Sequence, residues 1–128
     1  MKNLTKMVNS FGTCCWHPDQ GLSLICQYDR DKFPLLTIAV FQCIKADQDW
    51  LTVQYGSDVY RVKPEIFKLV TAPKFLVGEN VFVSAKNKIG QVYSLTWHFK
   101  GCHHIYLISF NGKRSSRRYM EVELSAVE

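Results

Sequence analysis

The same local pattern closes two parts of this chain. Residues 59–70 read VYRVKPEIFKLV, and residues 118–127 read RYMEVELSAV. Each joins a short β-patterned run to a single helical turn, begun by Lys63-Pro64-Glu65 or by Met120-Glu121, and then takes a final apolar step. Pro64 has no N–H to give to a sheet ladder, but it suits the first turn of a helix. Both closures follow a set of β-patterned segments, and 128 residues leave room for two small units. The predicted fold is therefore mostly β: two small barrels packed in tandem, with short helical turns. The first occupies residues 1–70, including an N-terminal segment, and the second residues 74–128.

Hydrophobic residues make up 47% of the chain and aromatics 13%, which predicts a folded core and not a disordered polymer. A unit of about 60 residues buries only about 60% of its unfolded surface and is marginal alone, so the two halves are expected to touch. The junction Thr71-Ala72-Pro73 is too short to act as a flexible tether. No run approaches the roughly 20 apolar residues of a membrane helix, and MKNLTKMVNS lacks the apolar core of a secretory signal. The five cysteines are odd in number and irregular in spacing, which favours reduced thiols and a cytoplasmic setting.

Leu4, Met7, Val8 and Phe11 fall at helical spacing, predicting a short amphipathic helix over 1–12 stopped by Gly12. Trp16 to Gly21 is a turn cluster, Leu24 to Tyr28 a candidate strand, and Asp29 to Pro34 a loop. Leu36 to Lys45 reads as a strand. After the turn Asp47-Gln48-Asp49, Trp50 to Tyr55 alternates, with Leu51, Val53 and Tyr55 on one face. Gly56-Ser57-Asp58 turns the chain into a strand over Val59 to Val62.

In the second half, Val81 to Ala85 reads as a strand and Asn87 to Gly90 as a turn. Gln91 to Phe99 places Tyr93, Leu95, Trp97 and Phe99 on one face. Lys100-Gly101-Cys102 leads into a strand over Ile105 to Phe110. Asn111-Gly112 is the strongest local signal, because a type I′ hairpin turn needs positive φ at both central positions. With that turn at the tip, regular pairing sets Phe110 against Lys113, Ile108 against Ser115, Tyr106 against Arg117 and His104 against Tyr119. Tyr106, Arg117 and Tyr119 are then expected to cluster.

Residues 74–127 resemble an SH3-like barrel of the KOW/Tudor type. The matching pieces are Phe75-Leu76-Val77-Gly78-Glu79-Asn80-Val81, the step Ile89-Gly90-Gln91-Val92, and the closing turn from Tyr119 to Leu124. The first half is similar in rhythm and in its close, without the Gly-x-Val step. The whole chain is also similar to small uncharacterised bacterial proteins with a WHF…IYLISFNGK…SRRY stretch. The KOW resemblance implies binding to RNA or to ribosome-associated proteins. The Tudor resemblance implies recognition of methylated side chains by an aromatic cage.

Charge points to the second half. Residues 1–70 hold eight Lys or Arg against seven Asp or Glu, whereas residues 71–128 hold eight against four. Lys113, Arg114, Arg117 and Arg118 lie in one run, with Lys113 and Arg117 on one strand face and Arg114 and Arg118 on the other. Exposed cations suit phosphates, and Trp97 and Tyr106 are the candidate stacking surfaces for bases. Against this stands a solvated edge strand whose charges discourage aggregation. An aromatic cage from Tyr93, Trp97, Phe99 and Tyr106 competes with ordinary core packing, which alternate bulky residues favour.

Cys14-Cys15-x-His17 and Cys102-His103-His104 hold zinc-ligand residue types without the usual spacers, so no metal and no cofactor is expected. No Gly-rich turn beside Cys15 or Cys102 offers an oxyanion hole, and Asp47 and Asp49 sit where Asp serves a turn. The expectation is a non-catalytic binding module whose second barrel contacts RNA or DNA backbone, with no membrane partner. The alternative is a protein-interaction adaptor, or a neutralising partner protein, using a groove between the two barrels.

Overall fold

The computed structural model describes residues 4–127. The chain divides into two compact units, Met1–Ala72 and Pro73–Glu128. The first contains β1 (Phe11–Thr13), β2 (Val40–Ala46), β3 (Leu51–Tyr55), β4 (Asp58–Val62) and β5 (Lys68–Val70). The second contains β6 (Asn80–Val83), β7 (Lys88–His98), β8 (His103–Phe110), β9 (Lys113–Tyr119) and β10 (Leu124–Ala126). Each unit forms one antiparallel sheet, in the orders β4-β3-β2-β1-β5 and β10-β6-β7-β8-β9. The two orders are the same: the last strand of each unit pairs with its first, and the other four run as a meander. Neither sheet closes on itself, so the expected barrels are open sheets.

The repeated close is what makes the orders alike. A 3-10 turn at Pro64–Ile66 carries the chain from β4 to β5 beside β1, and another at Glu121–Glu123 carries it from β9 to β10 beside β6. Phe67 and Leu124, the first residues after each turn, are both buried. A single fixed turn thus moves the chain from one edge of the sheet to the other and seats an apolar side chain as it lands.

The core of the first unit gathers Phe41 and Cys43 from β2, Leu51 and Val53 from β3 and Val62 from β4, with Trp16, Ile25 and Phe33 from the connections. Leu51 and Val53 are buried on one face, as their alternation predicts. Phe33 stacks on Phe41 with ring centroids 5.9 Å apart and meets Trp16 edge-on. The second unit buries Val81, Val83, Val92, Leu95, Trp97, Tyr106, Ile108, Tyr119 and Leu124. Each such aliphatic side chain contributes roughly 1.5–3 kcal/mol by leaving water.

Several local expectations are corrected by packing. Of the predicted helix over 1–12, residues 1–3 lie outside the described range, and the rest is a 3-10 turn at Thr5–Met7 followed by β1. Asn9 takes a φ of 73°, its N–H donates to Cys43 O at 2.7 Å, and Cys43 N–H donates to Ser10 O at 2.9 Å. The backbone gains more from pairing with β2 than from a helix, and Leu4 still reaches the core. Gly12 stops nothing: it lies inside β1, where a Cβ would come 2.7 Å from Lys68 O.

Leu24 to Tyr28 is not a strand. A 3-10 turn covers Leu22–Leu24, and only Ile25 bridges Val62, with Cys26 N–H on Arg61 O and Lys63 N–H on Leu24 O. The strand expected from Leu36 begins at Val40, because Leu36 has a φ of 50° and Leu35, Leu36 and Ile38 are exposed. Gly90 belongs to β7 and not to the preceding turn.

In the second sheet the turn Asn111-Gly112 has φ values of 50° and 79°, as a type I′ turn requires, and Phe110 pairs with Lys113. Beyond it the regular register fails. Ser109 pairs with Arg114 but Leu107 pairs with Arg118, so Ser115, Ser116 and Arg117 stand opposite Ile108 alone. Tyr106 therefore faces Tyr119 and not Arg117. A second bulge lies at Tyr93, between the pairs Val92–Ile108 and Ser94–Leu107. It breaks the expected single face of β7: Gly90 and Val92 point inward before it, Leu95 and Trp97 after it. Phe99 falls in the next turn and is 53% exposed.

Candidate nucleic-acid interface

β9 is the edge strand of the second sheet, and Lys113, Arg114, Arg117 and Arg118 on it are all exposed. Arg114 and Arg118 pair with Ser109 and Leu107, which share one face of β8, so the two arginines share the face away from the core. The neighbouring positions His104, Tyr106 and Ile108 point inward and are buried.

The β9 bulge is held from β7. Tyr93, the bulged residue there, reaches across β8 and its hydroxyl donates to Ser115 O at 2.7 Å. The same ring carries Arg114, whose Cζ lies 4.9 Å from the ring centroid. Arg117 lies over Tyr119, also at 4.9 Å, and its Nη2 is 3.6 Å from Glu123 Oε2. Arg117 and Tyr119 thus cluster as expected, by a different register. A guanidinium over an aromatic ring gains roughly 0.5–1 kcal/mol at an exposed site and is partly pre-oriented. Among the described residues Arg114 has no acidic side chain within ion-pair distance, whereas Arg117 is partly neutralised by Glu123.

Trp97 and Tyr106 are corrected as stacking surfaces. Trp97 is 8% exposed and Tyr106 fully buried, and a stacking platform needs an open ring face. Trp97 meets His104 edge-on at 4.9 Å. The Tyr106 hydroxyl donates to Glu121 Oε1 at 2.8 Å and accepts from Lys74 N–H at 3.1 Å. Burial, with Glu121 as the second cause, pushes its pKa well above the ordinary tyrosine value. Tyr106 is a buried polar anchor between β8 and the closing turn. With both rings in the core, the aromatic-cage arrangement has no pocket to form.

The cysteine and histidine clusters have local roles. His17 caps the 3-10 turn Pro18–Gln20: its Nδ1 accepts from Asp19 N–H at 3.1 Å, while Gln20 Oε1 accepts from His17 N–H. His98 Nδ1 accepts from Gly101 N–H at 2.9 Å, and its ring stacks on His103 with centroids 5.0 Å apart. Among the described residues no three His, Cys, Asp or Glu side chains converge as metal ligands would. Cys14 and Cys43 are buried, and desolvation raises the pKa of each, as expected of thiols acting as small apolar side chains. Asp47 Oδ1 accepts from the N–H groups of Asp49 and Trp50, which lower its pKa and give it a turn role.

The sequence reading missed an aromatic and cationic group in the first unit. Tyr28, Arg30, Trp50, Arg61 and Lys63 line one shallow cavity of about 480 Å³. Tyr28 is 75% exposed. The signal in the sequence is an aromatic residue beside polar ones, Tyr28 before Asp29-Arg30 and Trp50 after Asp47-Gln48-Asp49, which β-strand patterning over Leu24 to Tyr28 and Trp50 to Tyr55 hides.

No curated protein and no solved structure matches this chain. One family profile matches residues 1–125, a span that takes in both sheets except the last residue of β10. The chain belongs to that family, described as a family of unknown function, DUF6960.

Proposed function

We propose that the protein is a non-catalytic binding module that contacts nucleic-acid backbone through the edge of its second sheet. The observation that carries this reading is the placement of Arg114 and Arg118 together on the solvent face of β9, with Arg114 pre-oriented on Tyr93. Lys113 at the hairpin tip and Arg117 at the closing end extend the same edge. The contact is to phosphates, since Trp97 and Tyr106 are spent in the core. The shared strand order of the two sheets and the 3-10 turn before each last strand support the finer assignment of both to the SH3-like class, of the KOW or Tudor type. All five cysteines are free, which supports a reducing, cytoplasmic setting. A bacterial origin rests on the sequence resemblance alone.

The test is the salt dependence of binding to a single-stranded oligonucleotide. If the four cations each meet one phosphate, log K falls with log salt at a slope of about −2.8, a loss of about 50-fold between 50 and 200 mM. Arg114→Glu with Arg118→Glu removes two of them, and the slope should fall to about −1.4. A slope near zero in the parent protein, or no change in the variant, overturns the assignment. The first of those results favours the protein-interaction adaptor instead.

A further inference from the structure

The cavity on the first unit joins three segments distant in sequence. Tyr28 and Arg30 come from the connection before β2, Trp50 from the turn before β3, and Arg61 and Lys63 from β4 and its exit. Asp29 fastens the first to the third: its Oδ2 accepts from Arg61 N–H at 2.8 Å and lies 3.2 Å from Arg61 Nε. Arg30 Nε donates to Ile25 O at 3.1 Å, which fixes the loop on its other side. The remaining lining residues, Ser23, Cys26 and Gln27, carry no formal charge.

Two cations already sit against aromatic rings here. Lys63 Nζ is 4.3 Å from the Trp50 ring centroid, and Arg61 Cζ is 5.8 Å from that of Tyr28. Of the acidic groups nearby, Asp29 is paired with Arg61 and Asp47 lies within electrostatic reach of Lys63, while Asp31 and Asp49 adjoin Arg30 and Trp50 in sequence. None of these lines the cavity, whose three charged residues are all cationic. An open aromatic face beside cations held over rings suits a ligand that is both flat and anionic.

We propose that this cavity is a binding site for single-stranded nucleic acid, with one base stacked on Tyr28 and the flanking phosphates on Arg61 and Lys63. Tyr28 offers the open ring that Trp97 and Tyr106 do not, because it lies on a connection outside the sheet. Trp50 forms the wall beside Lys63, which can turn from the indole toward a phosphate. Base stacking tolerates any sequence, so the site would select strandedness and not a motif. The cavity volume is in the range of small-ligand sites, enough for one nucleotide and not for a duplex. This site uses none of the β9 residues and stands whether or not those contact nucleic acid.

The experiment titrates the full chain with a ten-nucleotide oligouridylate and follows tryptophan fluorescence. Trp16 and Trp97 are buried, so quenching reports on Trp50. The parent protein should be quenched by the single strand, and at least tenfold more weakly by a blunt duplex of the same length. Tyr28→Ala should weaken binding roughly tenfold or more, while Tyr28→Phe keeps the stacked ring and restores it. Lys63→Glu should lower the salt slope by about 0.7. Tyr28 is exposed, so its variants are expected to keep the parent unfolding temperature, which is measured alongside. A single strand that binds within twofold of parent affinity to both Tyr28→Ala and Lys63→Glu overturns the site, as does equal affinity for the duplex. Loss of binding in Arg114→Glu/Arg118→Glu with no loss in Tyr28→Ala would leave the β9 reading standing and this one refuted. The opposite pattern would refute β9 and support this site.

Discussion

Replacing Gly90 by alanine should destabilise the second unit more than a change at Gly112, in the Asn111-Gly112 hairpin turn. Gly90 lies in β7 opposite Val81, and β8 passes close over it. A Cβ at this position would collide with Ile108 Cγ2, lie 2.9 Å from Ser109 O and lie 3.0 Å from a Phe110 ring carbon. Carbon atoms normally meet at about 3.5–4.0 Å. Ile108 is fully buried and β-branched, so it cannot swing to another rotamer without striking its neighbours. Ser109 O belongs to the backbone and moves only if the strand moves. Overpacking of this kind costs about 1–3 kcal/mol, which lowers the melting temperature of a unit this size by about 10 °C.

The assay is thermal unfolding followed by circular dichroism, with two comparisons. At Gly112, φ is 79° and a Cβ would meet nothing within 4 Å, so Gly112→Asn should cost little, because Asn tolerates positive φ. Ile108→Leu removes the offending Cγ2, so Gly90→Ala combined with it should lose less than the sum of the two single changes. A melting temperature for Gly90→Ala within 2 °C of the parent protein, or strict additivity with Ile108→Leu, would refute the close approach of β8 to β7.

Two further predictions test the buried polar anchor and the thiols. Tyr106→Phe should lose about 1–3 kcal/mol, because Glu121 and the Lys74 N–H lose a buried partner. The folded pKa of Tyr106 is raised, so its contribution is complete below about pH 10, the ordinary tyrosine value, and is lost as pH rises toward the folded pKa. Urea midpoints measured from pH 8 to 11 should fall less in Tyr106→Phe than in the parent, and parallel curves would contradict the linkage. In the native protein iodoacetamide should modify the exposed Cys15 and Cys102, leaving the buried Cys14, Cys26 and Cys43 until denaturant is added. Mass spectrometry showing rapid native modification of Cys14 or Cys43 would contradict their burial.

What the sequence determined by itself is local. Asn111-Gly112 specifies a type I′ turn because few other pairs accept two positive φ values, and the turn is there. Pro64 specifies a helical turn because it cannot donate to a ladder, and Asp47 specifies a turn because its carboxylate reaches two N–H groups just ahead of it. Leu51 and Val53 announce a buried face by alternation. Each of these is decided by sterics or hydrogen bonds within about four residues. The shared close of the two halves belongs to the same class, which is why the repeat in the sequence became a repeat in strand order.

The rest was decided between segments far apart. Regular alternation predicted Tyr106 opposite Arg117, but Tyr93 pins the Ser115 carbonyl from two strands away, and three residues bulge opposite one. Phe11 reads by spacing as the last apolar position of a helix stopped by Gly12, and instead opens β1 because β2 and β5 offer partners on both sides. Trp97 and Tyr106 carry the right chemistry for stacking, yet inward pleating buries both. Tyr28, Trp50, Arg61 and Lys63 are unremarkable where they stand in the sequence. They form one cavity only because the sheet order brings the β2 connection beside the exit of β4, where Asp29 binds Arg61 and holds the two segments together.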